Sequence, residues 1–147
     1  MDRNALGQTL LLGVPGTTLD DELRAWYREV QPAGFILFGR NVESPEQLRT
    51  LIDDLRSTSG YDEPIIAIDE EGGRVSRLRS LLQHPLPSPG EIAANGNQPY
   101  HFTLLGILTA DLLKLFGFNF NCAPVLDRSL GSEEKDGVLR GRCFGDN

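Results

Sequence analysis

The run Pro64-Ile65-Ile66-Ala67-Ile68 ends in Asp69-Glu70-Glu71-Gly72-Gly73-Arg74-Val75. No other stretch restricts the possible folds as much. A short β-branched run without polar alternation reads as a strand covered on both faces, as in a parallel sheet. Functional groups of parallel α/β folds sit just past the C-terminal ends of such strands. Any chemistry carried here therefore begins at Asp69.

Strand and helix signals alternate along the rest of the chain. Thr9–Leu12 reads as a first strand, and Leu19, Leu23, Trp26, Tyr27 and Val30 mark one face of a helix that Pro32 stops. Gly34–Phe38 is the second strand. Ser44, Pro45 and Gln47 announce the next helix as N-cap, first residue and reciprocal capping-box partner, with Leu48, Leu51, Ile52 and Leu55 as its apolar stripe and Gly60 as its stop. Residues 64–69 form the third strand. The segment with Pro85, Pro87, Pro89, Gly90 and Gly96 is too proline-rich for one regular element. A helix over 99–116 turns Leu104, Leu105, Leu108, Leu112 and Leu115 inward, and Phe118–Ala123 is the fourth strand. This is an α/β chain with about four parallel strands and intervening helices. A closed (β/α)8 barrel takes ~250 residues, so 147 residues fit its first half, and the spacing fits a small open sheet equally well.

A hydrophobic content of 39% suits one ordinary core, and 24% charged residues argue against disorder. The net charge of −7 disfavours nucleic acid and an anionic membrane surface as partners, and is compatible with a neutral sugar. No apolar run approaches the ~20 residues of a membrane span, and the run at Leu10–Val14 is too short for a signal-peptide core. Cys122 and Cys143 lack metal-knuckle spacing and read as buried free thiols in a reducing, cytoplasmic setting. His84 and His101 are isolated, so no metal site is expected. Neither a G-x-G-x-x-G nor a G-x-x-x-x-G-K-[ST] pattern occurs, so no nucleotide or other cofactor is expected.

The carboxylates Asp69, Glu70 and Glu71 suit glycoside chemistry and sugar hydroxyls alike. Adjacent side chains of a strand alternate, so the three cannot point the same way; if the chain stays extended past Asp69, Glu71 shares its side. An acidic surface paired with Arg74 and Arg77 accounts for the same residue types. Gly72-Gly73 permits positive φ and close approach of a ligand or of backbone. Arg74 and Arg77 lie one helical turn apart and suit hydroxyl and acetamido oxygens, or simply balance nearby acids. Asp127 again follows an apolar strand end and can orient a loop or a neighbouring arginine. Asn119 and Asn121 share a strand face, and loop backbone satisfies them in the simplest reading. Arg142 lies beyond the fourth strand, on the rim that parallel topology gives Asp69. A surface charge is the plain alternative for it.

Four segments together resemble family 3 glycoside hydrolases, most closely the bacterial β-N-acetylhexosaminidases of cell-wall recycling. They are Gly34-Phe35-Ile36-Leu37-Phe38-Gly39-Arg40-Asn41, Ile68-Asp69-Glu70-Glu71-Gly72-Gly73-Arg74-Val75, Ala123-Pro124-Val125-Leu126-Asp127 and Gly141-Arg142-Cys143-Phe144-Gly145. Their order and spacing cover residues 9 to 147.

The resemblance implies a TIM-like barrel, of which residues 1–147 are the truncated N-terminal portion, and retaining hydrolysis of terminal β-linked N-acetylglucosamine. It implies that Asp69, Arg77 and Arg142 bind the sugar, with Glu71, Gly72, Gly73, Arg74 and Asp127 in support. Asp69 is then a binding residue and not the nucleophile. The family's Lys-His-Phe-Pro-Gly-His-Gly type segment and its nucleophilic aspartate do not occur in this sequence, so none of these residues is expected to be catalytic and the chain alone is expected not to turn over substrate. Two departures stand out: Glu70 where these enzymes commonly carry Gln, and a long charged loop at Gly131-Ser132-Glu133-Glu134-Lys135-Asp136. A β-glucosidase of the same family, a non-catalytic sugar-binding remnant and a small anion-binding domain are the rival expectations. A half-barrel would also expose an unpaired edge and associate with itself.

Overall fold

The computed structural model describes residues 6–96, 98–128 and 137–144. In chain order its elements are β1 (Leu11–Gly13), α1 (Asp21–Val30), β2 (Gly34–Leu37), α2 (Pro45–Ser59), β3 (Ile65–Ile68), β4 (Glu70–Gly72), β5 (Val75–Ser76), α3 (Pro89–Ala94), α4 (Pro99–Phe116) and β6 (Phe120–Asn121). Single 3₁₀ turns follow β2 at Gly39–Asn41 and β5 at Arg79–Leu81. Composition suggests one core, yet the chain divides into two compact units. One holds residues up to Ile68 together with Leu113–Asn121, and the other holds Asp69–Leu112 together with residues from Cys122 onward.

The first unit contains the expected parallel sheet, in the order β1-β2-β3-β6. Leu12 pairs with Phe35, Phe35 with Ile66, and Ala67 with Phe120. Its core is the side chains of Phe35, Leu37, Ile66 and Ile68 with Tyr27 from α1 and Leu48, Leu51, Ile52 and Leu55 from α2, all at most 1% exposed. Each of these large apolar groups contributes about 1.5–3 kcal/mol by leaving water. Trp26, assigned to the same face as Tyr27, is instead 48% exposed, because one narrow stripe of a ten-residue helix has room for only one ring of the adjacent pair.

Helix α2 starts as its sequence announces. The Ser44 hydroxyl accepts from the Gln47 amide at 3.1 Å, Pro45 occupies the first turn and Gly60 closes the helix at φ 81°. The Gln47 side chain, expected to reach back to Ser44, instead accepts from the Glu43 amide at 2.9 Å. Arg24 pairs with Asp54 at 2.5 Å, tying α1 to α2. Asn119 extends the ladder with its side chain: Oδ1 accepts from Ile66 N at 2.7 Å and Nδ2 donates to Pro64 O at 2.9 Å. The amide thus satisfies the expected loop backbone at Pro64 and, in addition, strand backbone at Ile66.

The second unit is built on two elements that the sequence reading does not include. β4 and β5 form an antiparallel hairpin around Gly72-Gly73. Both glycines have positive φ, 87° and 56°, and a Cβ on either would lie 2.2 Å from Pro87 O or 2.4 Å from Ser88 Cβ. The turn therefore needs glycine twice over, for conformation and for space. Helix α3 lies inside the proline-rich segment. Ser88 caps it, accepting from the Glu91 amide at 3.2 Å while Glu91 Oε2 accepts from Ser88 N at 2.7 Å. Pro89 follows as the first helical residue.

Helix α4 spans the expected residues but buries a different stripe. Leu105, Thr109, Leu113 and Phe116 are inside, whereas Leu104, Leu108 and Leu115 are 38%, 46% and 61% exposed. The helix is apolar on nearly every side, so periodicity alone does not select its buried face. Among the described residues, no helix is long and apolar enough to cross a membrane.

Candidate functional site

Asp69 is the first residue after β3, and Glu70, Glu71 and Gly72 form β4. Extended backbone sends successive side chains to opposite faces. Asp69 and Glu71 accordingly line one open pocket of about 530 Å³, while Glu70 points the other way and is 1% exposed. Its Oε2 accepts from the backbone amides of Arg77 at 2.8 Å and Leu78 at 3.0 Å. That buried carboxylate fixes the chain where it leaves β5, and so fixes where Arg77 starts. The Arg77 guanidinium then reaches Asp69 Oδ2 at 3.0 Å.

Arg142 meets Glu71 in a two-bond fork, Nε donating to Oε2 at 2.8 Å and Nη2 to Oε1 at 2.6 Å. Parallel bonds between a guanidinium and a carboxylate fix orientation as well as distance. The Glu71 side chain is only 4% exposed, whereas those of Asp69, Arg77 and Arg142 remain 24%, 31% and 22% exposed. Glu71 spends both oxygens on one partner. Asp69, wetter and held by one arginine bond, is the better acceptor for an incoming hydroxyl.

The Arg142 guanidinium is held above its ordinary value, chiefly by its hydrogen bond to Glu71 and further by the charges of Glu71 and Asp69, with burial acting against them. Cys122 lines the pocket with Asp69, and its thiol is pushed up, first by partial desolvation of the sulfur and then by the Asp69 carboxylate. The thiolate is therefore disfavoured. Alternating carboxylates and guanidiniums offer both acceptors and donors to a neutral polyhydroxylated ligand. Among the described residues no cluster of His, Cys, Asp or Glu is arranged to hold a metal ion.

Of the residues singled out in the sequence, Asp69, Glu71, Arg77, Asp127 and Arg142 all line this pocket. Gly72 and Gly73, both at positive φ, belong to the β4–β5 hairpin and are not in the pocket lining. Arg74 is directed elsewhere: its Nε donates to Arg140 O at 3.0 Å, and its Nη2 to Gly137 O at 3.5 Å and to Val138 O. The charged loop 131–136 and Gly145 lie outside the described residues. Two contributions went unread. The buried anchoring role of Glu70 is one. The other is Cys122, expected buried but exposed; its signal was strand register, since Ile68 pairs with Asn121 and Asp69 and Cys122 are the residues that follow.

Known proteins give this geometry a context. The chain is 40% identical over 140 residues to a protein of Alkalilimnicola ehrlichii named beta-hexosaminidase, covering 92% of this chain and 39% of that relative. It thus spans about two fifths of the relative's length. The crystal structure of native NagZ from Neisseria gonorrhoeae superposes with a TM-score of 0.79 at 27% identity, over 95% of this chain and 41% of that one. The structure of the same protein in complex with N-trifluoroacetyl-D-glucosamine gives a TM-score of 0.78 at 27% identity, with the same coverage. The four parallel strands with their helices match the N-terminal half of the TIM-like barrel of such structures. Residues 3–147 match the model of the glycosyl hydrolase family 3 N terminal domain, and the chain belongs to that family.

Proposed function

We propose that this chain supplies the sugar-recognition part of a retaining β-N-acetylhexosaminidase acting on terminal, non-reducing β-linked N-acetylglucosamine. Asp69 accepts hydroxyl hydrogens of the terminal sugar, and Arg77 and Arg142 donate to its oxygens. Gly72 and Gly73 shape the turn, and Asp127 lines the wall. The observation that carries this reading is the convergence of Asp69, Arg77 and Arg142 on one pocket, with the Asp69 side chain left partly open to solvent. The relatives named beta-hexosaminidase, and the related structure holding an N-acylated glucosamine, give the chemical class. Retaining hydrolysis also needs a nucleophile and an acid/base flanking the bond. In this reading those two groups come from residues outside the 147, so these residues bind but do not turn over substrate by themselves. The setting we propose is cytoplasmic cell-wall recycling, compatible with two free cysteines. The test is a panel of chromogenic glycosides offered to the complete gene product. Faster cleavage of the β-N-acetylglucosaminide than of the β-glucoside supports the proposal; the reverse order selects a β-glucosidase.

A further inference from the structure

Arg142 is carried by a segment without regular secondary structure, residues 137–144, yet a sugar contact requires a guanidinium fixed in place. Two contacts from the β4–β5 hairpin supply what the segment lacks. Glu71, one residue before the Gly72-Gly73 turn, takes both bonds of the Arg142 fork on a carboxylate that is 4% exposed. Arg74, in the turn itself, donates to the carbonyls of Gly137, Val138 and Arg140, the backbone leading into Arg142. A third contact holds the residue directly before Arg142, where the Gly90 amide donates to Gly141 O at 3.2 Å. Gly90 packs so closely that a Cβ there would lie 2.9 Å from Gly141 Cα.

We infer that Glu71 and Arg74 are positioning residues for Arg142, one fixing its guanidinium and the other its backbone, and that neither touches the sugar itself. The inference rests on the proposed sugar-binding role of Arg142 and adds how that role is held in place. Its physical basis is the consumption of groups. Glu71 is 4% exposed with both oxygens accepting from Arg142, and Arg74 lies outside the pocket lining with its bonds on backbone carbonyls, whereas Arg142 is 22% exposed in that lining and keeps two N–H groups beyond the two in the fork and the one that meets Val138 O at 3.3 Å. A carboxylate that accepts two parallel bonds also sets the plane of the guanidinium, which a single hydrogen bond does not. The Gly72-Gly73 turn is what lets one hairpin present Glu71 and Arg74 to two different parts of the same segment.

The test is calorimetric titration of the complete gene product with N-acetylglucosamine. Arg142→Ala should weaken binding on the order of 10-fold or more, the scale of a lost charge-assisted hydrogen bond. Glu71→Gln, isosteric but holding only one acceptor oxygen, should weaken it on a similar order. Added to Arg142→Ala, it should cause no further loss, because it acts only through that arginine. Free guanidinium ion should restore binding to Arg142→Ala and fail to restore it to the double variant. Arg74→Lys, which keeps the charge but not the three-carbonyl reach, should weaken binding by a smaller factor. Thermal melts establish that each variant is folded. Wild-type affinity in folded Glu71→Gln, or losses that multiply in the double variant, overturns the positioning role. Wild-type affinity in Arg142→Ala refutes the sugar-binding reading instead.

Discussion

Glu70 offers a quantitative test of how the site is anchored. Its Oε2 receives two backbone amides, Arg77 N at 2.8 Å and Leu78 N at 3.0 Å, at a position 1% exposed. Glu70→Ala leaves both donors buried without that acceptor. Hydrogen bonds to charged groups contribute about 1.5–3 kcal/mol each, so the loss should reach about 4 kcal/mol. For a chain of this size that corresponds to a Tm lower by roughly 12 °C. Glu70→Gln is a different perturbation. Both amides converge on one oxygen, so an amide oxygen can occupy the same place. What is lost is the charge assistance, and what is gained is relief from holding a charge away from water. The net change should stay within about 1 kcal/mol. Urea denaturation measures both, and hydrogen exchange at the Arg77 and Leu78 amides should accelerate in Glu70→Ala alone. Equal destabilisation by the two variants, or a cost below about 1 kcal/mol for Glu70→Ala, would refute the two-amide anchor.

Three further outcomes are expected. Gly72→Ala should destabilise by at least about 2 kcal/mol in urea, since positive φ alone costs a side-chain-bearing residue about 1–2 kcal/mol and the new Cβ would meet Pro87 O at 2.2 Å; a neutral result contradicts the tight turn. Alkylation of Cys122, followed by mass spectrometry across alkaline pH, should set in above the ordinary thiol range, because burial and Asp69 disfavour the thiolate. Asp69→Asn should move that onset to lower pH, and an unchanged onset would remove Asp69 as a cause. The 147-residue chain should associate in sedimentation experiments, as Ile107 at 54% and Leu108 at 46% exposure leave apolar surface on α4; a concentration-independent monomer would contradict this.

The strands of the parallel sheet and α2 were legible because their signals are local and agree with one another, whereas the short strands β4 and β5 were not. An unbroken apolar run, a Ser-Pro-x-Gln start and a glycine stop leave little choice. Alternation along Asp69-Glu70-Glu71 was legible for the same reason, being a property of extended backbone and not of distant partners. Helix α3 carried a Ser88-Pro89-x-Glu91 start of the same kind as α2, but it was hidden by the density of prolines around it. The face of α4 was not legible because leucines surround the helix, and only tertiary packing decides which of them go inside. The Glu71–Arg142 fork joins positions 71 residues apart, a pairing that no local pattern encodes. Arg74 and Arg77 illustrate the same limit. They are similar in type and close in sequence, yet Arg74 sits in the hairpin turn and donates to backbone carbonyls while Arg77 lies beyond β5 and reaches Asp69.

The central claim is that Asp69 holds the sugar. Its most direct test is kcat/KM of the complete gene product on a chromogenic β-N-acetylglucosaminide, wild type against Asp69→Ala. Loss of a charged acceptor for a buried hydroxyl should cost about 2–4 kcal/mol of transition-state binding, a fall on the order of 30- to 1,000-fold. An unchanged kcat/KM in folded Asp69→Ala would contradict the account.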